Sequence, residues 1–323
     1  MEWAEYWETF LSENRLQNKV RELNQYDREV LGQEPCTERI CKGIYSSYDK
    51  KALELLEIKQ ECMKELDKIE GIHLSSGRVK RVDSLLCKVI NKRSENVETF
   101  DSKYLYLDEF NYDKIITDLI GLRLIISYRG KWLLIHHQIQ NLFPLLDKSL
   151  YKKDKPLNHD LAKQFQAEWP KVYYARGDST QEYTEEGLDI YQKDNGYRSI
   201  HYVLSFQNTY IELQMRTIYD EAWSDCDHNY VYKKEKHLSH DALAQISLIL
   251  NKLTEISGSV SDTMECVYRK EGMIRDKQRN KWVARQEHLD SIDVIMKKMD
   301  EVCGELKEFR NKLVSEREDC DEH

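Results

Sequence analysis

Two acidic residues in the middle of the chain could carry metal-assisted chemistry. Asp118 stands just before an apolar segment at residues 122–128, where a carboxylate is costly unless a metal ion or a cation compensates its charge. Glu212 lies in residues 210–216, where apolar and polar side chains alternate as in a strand. On neighbouring strands, the two carboxylates could hold Mg²⁺ against nucleotide phosphates. Taken singly, such an Asp is more often a helix cap or an ion-pair partner.

A basic cluster at residues 77–93 could bind those phosphates. If the segment is helical, Ser84 and Lys88 stand one turn apart on one face, and Arg81 joins them three residues before Ser84. Cations and a hydroxyl group that converge on one spot give polyphosphate oxygens charge-assisted hydrogen bonds. Without other signals, a solvated basic face is the commoner meaning of such a run. The cations of the cluster are Arg78, Lys80, Arg81, Lys88, Lys92 and Arg93.

A third cluster could bind a base. Asn195 and Gly196 form a turn signal that would display Tyr197 just before a strand. An exposed Tyr on a rigid turn can stack on a nucleobase with a gain of about 1–3 kcal/mol. Arg123 could lay its planar guanidinium group on a base or donate to a phosphate. His201, as a lone histidine in the following strand, is more often a structural residue than a catalyst.

The elements that must position these residues form an alternating series. Residues 1–72 show apolar stripes at helical spacing, which predict an N-terminal helical region. Residues 73–234 alternate short apolar segments with helical ones and predict a mixed sheet. The predicted strands lie at 122–128, 172–174, 199–206 and 210–216, with a helix at 131–147, a hairpin turn at 207–209 and an irregular mobile loop at 175–193.

Residues 235–323 are predicted to form a C-terminal helical region. Apolar residues recur at helical spacing from 243 to 256, and two imperfect heptad series follow in a charged helix within 261–323. An intramolecular helical hairpin and a coiled-coil dimer fit this pattern about equally well. The heptad residues are Leu289, Met296 and Cys303 in one series and Ile292, Met299, Leu306 and Leu313 in the other.

The composition excludes several classes of protein. Lys+Arg at 49 against Asp+Glu at 58 gives a net charge of −9, which argues against wholesale coating of a nucleic-acid backbone but allows a local basic cleft. Only 12 Gly and 4 Pro favour helix over many-turned β architectures. The 8 Cys form no C-x-x-C pair and are expected to be reduced thiols. With an acidic start and no apolar run near ~18 residues, we expect a cytoplasmic protein without a membrane span.

The order and spacing of four motifs resemble the synthetase domain of the RelA/SpoT alarmone synthetases. The motifs are GRVKRVDSLLCK, TDLIGLRLI, NGYRSIH, and IELQMRT followed by AWSDCDH, and they span about residues 74–234. The resemblance implies an α+β fold with a mixed β-sheet, nucleotidyltransferase-like synthetase core flanked by N- and C-terminal helices. It also implies transfer of the β,γ-pyrophosphate of ATP to the 3′-hydroxyl of GDP or GTP, which makes (p)ppGpp. Residues 1–72 are too few for the family's hydrolase domain, so a small, single-activity member is expected.

The resemblance assigns a role to each matching residue. It implies that Arg78 and Arg123 sandwich the adenine of ATP, and that Lys80, Ser84 and Lys88 bind its phosphates. Asp118 and Glu212 match the Mg²⁺ ligands, and Glu212 matches the general base. Tyr197 matches the tyrosine that stacks on the acceptor guanine. The residues implied to line or extend the acceptor side are Lys193, Asn195, His201, Gln214 and Arg216.

Two alternatives stay open, the first because of a departure from the family pattern. Relatives that bind GDP or GTP usually carry a basic segment before the NGY turn, whereas Glu185, Glu186 and Asp189 stand here and would repel 5′-phosphates unless they point away. The first alternative is therefore a toxin-like pyrophosphokinase of the tRNA 3′ end, whose terminal helices could bind an inhibitory protein partner. The second, which does not depend on this departure, is an inactive nucleotide-binding interaction module whose helical ends carry the function. A homo-oligomer through the terminal helices is a separate possibility. A basic track for tRNA could combine Arg81, Lys92, Arg93, Lys152, Lys153 and Lys155.

Overall fold

The N-terminal helices pack on the central sheet. A computed structural model describes residues 2–97, 102–151, 164–232, 240–268, 273–276, 281–284 and 286–321. The chain begins with helices α1 (Trp3–Glu13), α2 (Gln17–Glu29) and α3 (Thr37–Leu66), as the apolar stripes predicted. Their buried residues belong to the same hydrophobic core as the residues of the sheet. Burial of these stripes is what holds the three helices in place, because most helical stability in proteins comes from packing.

A six-stranded mixed sheet forms the centre of the molecule. Its strands are β1 (Leu74–Val79), β2 (Ile120–Ile126), β3 (Phe165–Ala175), β4 (Asp189–Lys193), β5 (Ser199–Phe206) and β6 (Thr209–Thr217). They are ordered β1-β2-β6-β5-β3-β4. The pairs β2–β6 and β3–β4 are parallel, and the other neighbours are antiparallel. The expected α+β fold with a mixed sheet between flanking helices is confirmed.

In the part of the chain that the structure describes, five α-helices lie between these strands or directly after β6. They are α4 (Val82–Ser94), α5 (Tyr112–Ile115), α6 (Trp132–Leu142), α7 (Gln181–Glu185) and α8 (Ile218–Cys226), and α8 continues into a π-helical turn at Asp227–Tyr232. The hairpin between β5 and β6 is confirmed. Gln207 and Asn208 form its two-residue turn with φ of 48° and 60°, the left-handed values that such hairpin turns require.

The prediction of an irregular loop at 175–193 was wrong. This segment contains α7 and the edge strand β4, which pairs in parallel with β3. Two buried apolar side chains, Tyr183 and Leu188, anchor it to the core, and Trp132 donates a hydrogen bond to Glu182 at 3.0 Å. Short elements of this kind lack the periodic run of apolar residues on which the prediction depended.

The C-terminal region is a helical pair joined by a small hairpin. Helix α9 (His240–Tyr268) is followed by strands β7 (Met273–Asp276) and β8 (Lys281–Ala284) and by α10 (Gln286–Asp321). The single charged helix predicted within 261–323 is thus interrupted by a hairpin. Helices α9 and α10 pack together through Ile249, Ile256, Ile295 and Val302.

The heptad residues of α10 whose side chains the structure describes do not form this contact, and the side chain of Leu313 lies outside the described part. Leu289, Ile292, Met296, Met299 and Leu306 are exposed, and the residues that face α9 follow a different seven-residue series, Ile295 and Val302. An intramolecular hairpin is therefore what the C-terminal helices form, while a dimer or an inhibitory partner on the terminal helices stays a prediction. In the described part of the chain, the helices are too short or too polar to cross a bilayer.

Candidate active site

The parallel pairing of β2 and β6 brings the two acidic residues together. Gly121 of β2 lies opposite Glu212 of β6, and Asp118 precedes β2 by two residues. Both carboxylates line one open cleft of about 580 Å³. The sequence predicted a shared metal site only if the two side chains come from neighbouring strands. Because β2, which Asp118 precedes, is the neighbour of β6, this condition is met. Their roles as ligands and base stay predictions.

Asp118 is held between two lysines. Its Oδ2 atom lies 3.0 Å from Nζ of Lys80 and 2.7 Å from Nζ of Lys88. Burial favours the neutral acid, but the two ammonium groups outweigh it and hold the pKa of Asp118 below its ordinary value. Asp118 is therefore an anion at neutral pH, and its charge attracts cations to this end of the cleft.

The free oxygen of Asp118 fits a divalent ion. Within the described residues, Oδ1 of Asp118 is buried without a hydrogen-bond partner, and no group of three or more metal-ligating side chains is found there. Mg²⁺ in nucleotide sites is commonly bound by one or two carboxylates plus substrate phosphates, so two carboxylates suffice. The donor set is thus of the kind that Mg²⁺ uses when a phosphate completes its shell.

Glu212 lies on β6, and its carboxylate lines the cleft. Gln214 donates to Oε2 at 2.8 Å, and Nδ1 of His201 is 3.7 Å from Oε1. Burial and then the nearby charge of Asp118 raise the pKa of Glu212. Burial, together with the charges of Arg216 and two lysines, lowers the pKa of His201 to about 3. The charges of Lys88 and Lys80 partly oppose this rise, but the neutral His201 adds no compensating charge, so Glu212 is strengthened as a proton acceptor.

The two arginines matched to adenine binding share one face of the sheet. Arg78 pairs with Gly121, and Arg123 pairs with Ser76, so Arg78 and Arg123 are diagonal neighbours on antiparallel strands. Both line the cleft. Gly121, directly across from Arg78, has no side chain that would fill the space beside it. The placement suits a flat base between two guanidinium groups, which stays a prediction.

Tyr197 is half-buried rather than displayed at the end of a loop. The guanidinium carbon of Arg216 lies 4.9 Å from its ring centre, and its hydroxyl contacts Nη2 of Arg216 at 2.5 Å and Nε2 of His201 at 2.9 Å. The predicted exposure of Tyr197 was wrong, because the polar face of β6 reaches back to hold the ring. The ring still lines the cleft, together with Gln214 and Arg216.

Several predicted site residues lie outside the cleft lining. Ser84 is exposed on α4, and Lys88, one turn later, pairs with Asp118 without being part of the lining. Lys193 sits over the ring of Tyr173 at 4.9 Å. Asn195 accepts a hydrogen bond from the backbone N–H of Tyr197 at 3.2 Å. Lys193, Asn195 and His201 therefore cluster around Tyr197 on the acceptor side.

The structure does not support the basic track for tRNA that the sequence predicted. Arg93 is buried, pairs with Asp27 at 3.5 Å and donates to the carbonyls of Leu105 and Leu107. A buried arginine in a closed set of hydrogen bonds is not available to a phosphate backbone. Arg81 and Lys92 face solvent in pairs with Asp83 and Glu95. Lys152, Lys153 and Lys155 lie outside the described residues.

The acidic residues before the NGY turn point away from the cleft. Asp189 pairs with Lys148 at 2.9 Å, and Glu186 lies 3.3 Å from Nε2 of His137. Glu185 accepts from Gln181 at 2.8 Å. The cleft lining includes none of these three carboxylates. The electrostatic objection to a 5′-phosphorylated acceptor therefore loses its physical basis.

Sequence reasoning missed the contribution of α8. The carboxylate of Glu221 bridges Arg123 and Arg216, at 2.8 Å from Nη1 of the latter. A signal for this was present, since Thr217 and Asp220 form a capping box that fixes the helix start directly after β6. Helical spacing then places the following residues on the face toward the cleft. Those that line it are Ser224, Asp225, His228 and Asn229.

Comparison with known proteins finds a family match for the central part of the chain. A family model described as "Region found in RelA / SpoT proteins" matches residues 77–237. No curated protein matches the chain. Among solved structures, the small alarmone synthetase 1 from Bacillus subtilis bound to its product pppGpp is 18% identical, with a TM-score of 0.35, over 72% of this chain and 96% of that one.

Two further solved structures show similar values. The small alarmone synthetase 2 from Bacillus subtilis is 17% identical with a TM-score of 0.37, over 68% of this chain and 94% of that one. A GTP pyrophosphokinase family protein from Streptococcus pneumoniae is 16% identical with a TM-score of 0.35, over 71% and 95%. At such identities, the roles of individual residues must be derived from the geometry of this chain.

Proposed function

Residues 77–237 belong to the RelA/SpoT family, and from this premise we propose that the chain is an ATP-dependent pyrophosphokinase. It transfers the β,γ-pyrophosphate of ATP to the 3′-hydroxyl of GDP or GTP and releases AMP and (p)ppGpp. One observation carries the proposal: Asp118 and Glu212 face the same cleft from neighbouring strands, beside Lys80 and Lys88. Carboxylates and ammonium groups at one point suit the transfer of a highly charged group.

The transfer itself needs little covalent help from the protein. The 3′-oxygen of the acceptor forms a bond to the β-phosphorus of ATP, and the bond from that phosphorus to the α,β-bridging oxygen breaks, so that AMP leaves. Oε1 of Glu212 takes the proton of the attacking hydroxyl group. Mg²⁺, held by Asp118 and Glu212, would neutralise phosphate charge when bound. The protein's main contribution is to align the two substrates.

The cations of the cleft have separate tasks. Lys80 and Lys88 already lie beside Asp118 and can donate to phosphate oxygens that enter there. Arg216 is fixed by Glu221 and Ser224 at 2.8 and 2.9 Å. Because it is fixed, it holds one face of the Tyr197 ring and leaves the other for the acceptor base. Phosphate binding and base stacking thus occupy opposite ends of one cleft.

A free guanine nucleotide is favoured over tRNA as the acceptor. The argument for tRNA depended on repulsion by Glu185, Glu186 and Asp189 and on a basic track that included Arg93. The three carboxylates are bound to other partners away from the cleft, and Arg93 is buried. Lys193 remains beside the aromatic residues of the acceptor side as a cation for the 5′-phosphates.

The decisive experiment incubates the purified full chain with Mg²⁺ and ATP labelled in its γ-phosphate, in parallel with GDP, GTP or deacylated tRNA. We expect label on the guanine nucleotide at its 3′ position and AMP in equal amount. Label on tRNA alone would instead establish the toxin-like activity. Absence of transfer to all three acceptors would leave the inactive nucleotide-binding module.

The matched variant is Glu212→Gln, which keeps the size of the side chain and its hydrogen bond with Gln214. We expect transfer to fall by about 10²- to 10⁴-fold because the proton acceptor is lost. The midpoint of thermal unfolding should remain near that of the unaltered protein. Full activity in this variant would contradict the assignment of Glu212 as general base.

A further inference from the structure

The turn that carries Tyr197 is held from outside the family region. Asn251, on α9, donates from Nδ2 to the carbonyl of Gly196 at 2.8 Å. Its Oδ1 accepts from Nη1 of Arg198, also at 2.8 Å. Both ends of one buried amide are therefore used on residues 196 and 198, which flank Tyr197. The RelA/SpoT region ends at residue 237, so this contact comes from a part of the chain without an assigned role.

The close approach of Asn251 depends on glycine in the turn. Gly196 has a φ of 84°, and a Cβ atom built there would lie 2.5 Å from Cγ of Asn251. A side chain at this position would be strained and would push the amide away. The backbone of the turn and the amide of Asn251 thus fit each other at van der Waals contact, which restricts the conformations that the turn can adopt.

Arg198 acts as the anchor of the turn rather than as a group of the cleft. Its side chain is 5% exposed and forms two hydrogen bonds with Asp178, at 2.7 and 3.1 Å. It also lies 3.4 Å from Glu255 of α9, which accepts from Lys298 of α10. The charge of Arg198 is therefore directed toward Asp178 and the C-terminal helical pair, and Arg198 does not line the cleft.

We infer that Asn251 is a positioning residue of the acceptor site: it fixes the turn at residues 195–198 so that the Tyr197 ring is held ready for the acceptor base. Helix α9 is then a structural part of the acceptor site. The inference rests on the proposed function for the identity of the acceptor. The contact itself is independent of that function, because it joins the turn to α9 whatever ligand binds.

The physical reason is the loss of order expected without the amide. With alanine at position 251, the Gly196 carbonyl and Nη1 of Arg198 each lose a 2.8 Å hydrogen bond and keep only their mutual contact at 3.3 Å. Space also opens beside a glycine that tolerates many conformations. Tyr197 would then lose its fixed orientation toward the cleft. A displacement of about 1 Å from the reactive geometry can lower turnover by about 100-fold. The phosphate-binding lysines do not contact the turn and keep their geometry.

The experiment compares Asn251→Ala with the unaltered protein and with Lys252→Ala. Lys252 pairs with Glu305 of α10 on the surface, so this control weakens the helical pair without touching the turn. For Asn251→Ala we expect the acceptor kcat/KM to fall by about 10- to 100-fold, with the KM for ATP within about twofold. Hydrogen exchange of the amides at 195–199 should become faster. Lys252→Ala should change neither the acceptor kcat/KM nor the rate of hydrogen exchange at 195–199.

A second variant keeps the test decisive if Asn251→Ala does not fold. Asn251→Asp retains the acceptor for Arg198 but loses the donor to Gly196, so we expect a smaller loss in the same direction. Equal losses toward ATP and acceptor, or a loss of thermal stability alone, would show a merely structural role and overturn the inference. Unchanged acceptor kinetics would also overturn it.

The failure of the proposed function would look different. If the unaltered protein transfers no pyrophosphate to any acceptor, the proposed function fails, and hydrogen exchange still decides the positioning role. Unchanged exchange at 195–199 in both Asn251 variants would overturn the inference whatever the activity. Faster exchange confined to this turn would support it.

Discussion

The two sides of the cleft are built in different ways. We name the phosphate side after Lys80, Lys88 and Asp118, whose charged groups meet in ion pairs at 2.7 and 3.0 Å. The aromatic side consists of Tyr173, Tyr197 and His201, whose rings contact one another at centroid distances of 4.7–6.0 Å. The first side is a set of charges around one carboxylate. The second is a set of rings fixed by packing.

This difference separates direct from indirect effects of substitution. On the phosphate side, long side chains contact the ligand directly, so removal of one charge should alter binding of the phosphates and little else. On the aromatic side, ring positions depend on β3, β5, β6 and α9 together. A substitution there acts through geometry, including substitutions that never touch the acceptor.

Among the substitutions that compare the two sides, the largest effect is expected on the phosphate side, for Lys88→Met. The variant removes a charge-assisted donor to phosphate and one of the two cations that hold Asp118. We expect kcat/KM for ATP to fall by about 10- to 100-fold, the effect of one hydrogen bond to a charged group, with the acceptor KM within about twofold. Steady-state kinetics with each substrate varied in turn provide the measurement.

The matched control for this change is Lys92→Met, one turn further along α4. Lys92 pairs with Glu95, whereas Lys88 pairs with Asp118, a residue of the cleft lining. Lys92→Met should therefore leave kcat/KM for ATP and KM for the acceptor unchanged. Equal losses in the two lysine variants would mean that the basic face acts only through its total charge, and the phosphate side as defined here would be wrong.

A smaller effect is expected on the aromatic side, for Tyr197→Leu. Loss of the ring removes base stacking worth about 1–3 kcal/mol, so we expect the acceptor kcat/KM to fall by roughly tenfold or more while ATP binding is retained. Tyr197→Phe keeps the ring and removes only the hydroxyl contacts with Arg216 and His201. Its loss should be smaller. If acceptor kcat/KM falls more in Tyr197→Phe than in Tyr197→Leu, the hydroxyl group and not the ring binds the acceptor.

The smallest effect is expected for the double variant Glu185→Gln, Glu186→Gln. These carboxylates stand before the NGY turn, but their contacts are with Gln181 and His137 outside the cleft. Their removal should change the KM for GDP or GTP by less than about twofold, because solvent screens charges that do not face the ligand. A strong gain in affinity for GTP would show that these two carboxylates repel the acceptor. Charge, and not only ring packing, would then determine acceptor binding.

The sequence predicted the elements that have strong periodicity. Strands β2, β5 and β6 and the long N-terminal helices follow from runs of apolar residues at spacings of two or of 3.6. Strand β1 was missed, since the alternating exposure of LSSGRV reflects an edge position rather than an apolar pattern. Helix α7 and strand β4 were missed for a similar reason. Short edge elements are fixed by what they pair with, and their own residues carry little signal.

Prediction from local sequence had the same limit for the charged residues of the site. Arg81, Lys88 and Arg93 look alike in the sequence, but one faces solvent, one pairs with Asp118 and one is buried against Asp27. A carboxylate 66 positions away decides the place of Arg93. Local spacing could not distinguish these three roles, because each depends on a partner from another element.

By itself, the sequence determined the chemistry of the site: the order of four motifs, the two carboxylates and the cations beside them. Only the tertiary structure decided which carboxylates face the cleft, how Glu221 joins two arginines, and that Asn251 holds the turn of Tyr197. The physical reason is that motifs record local geometry along a strand or helix. Contacts between residues 53 or 55 positions apart exist only after α9 has packed on the sheet.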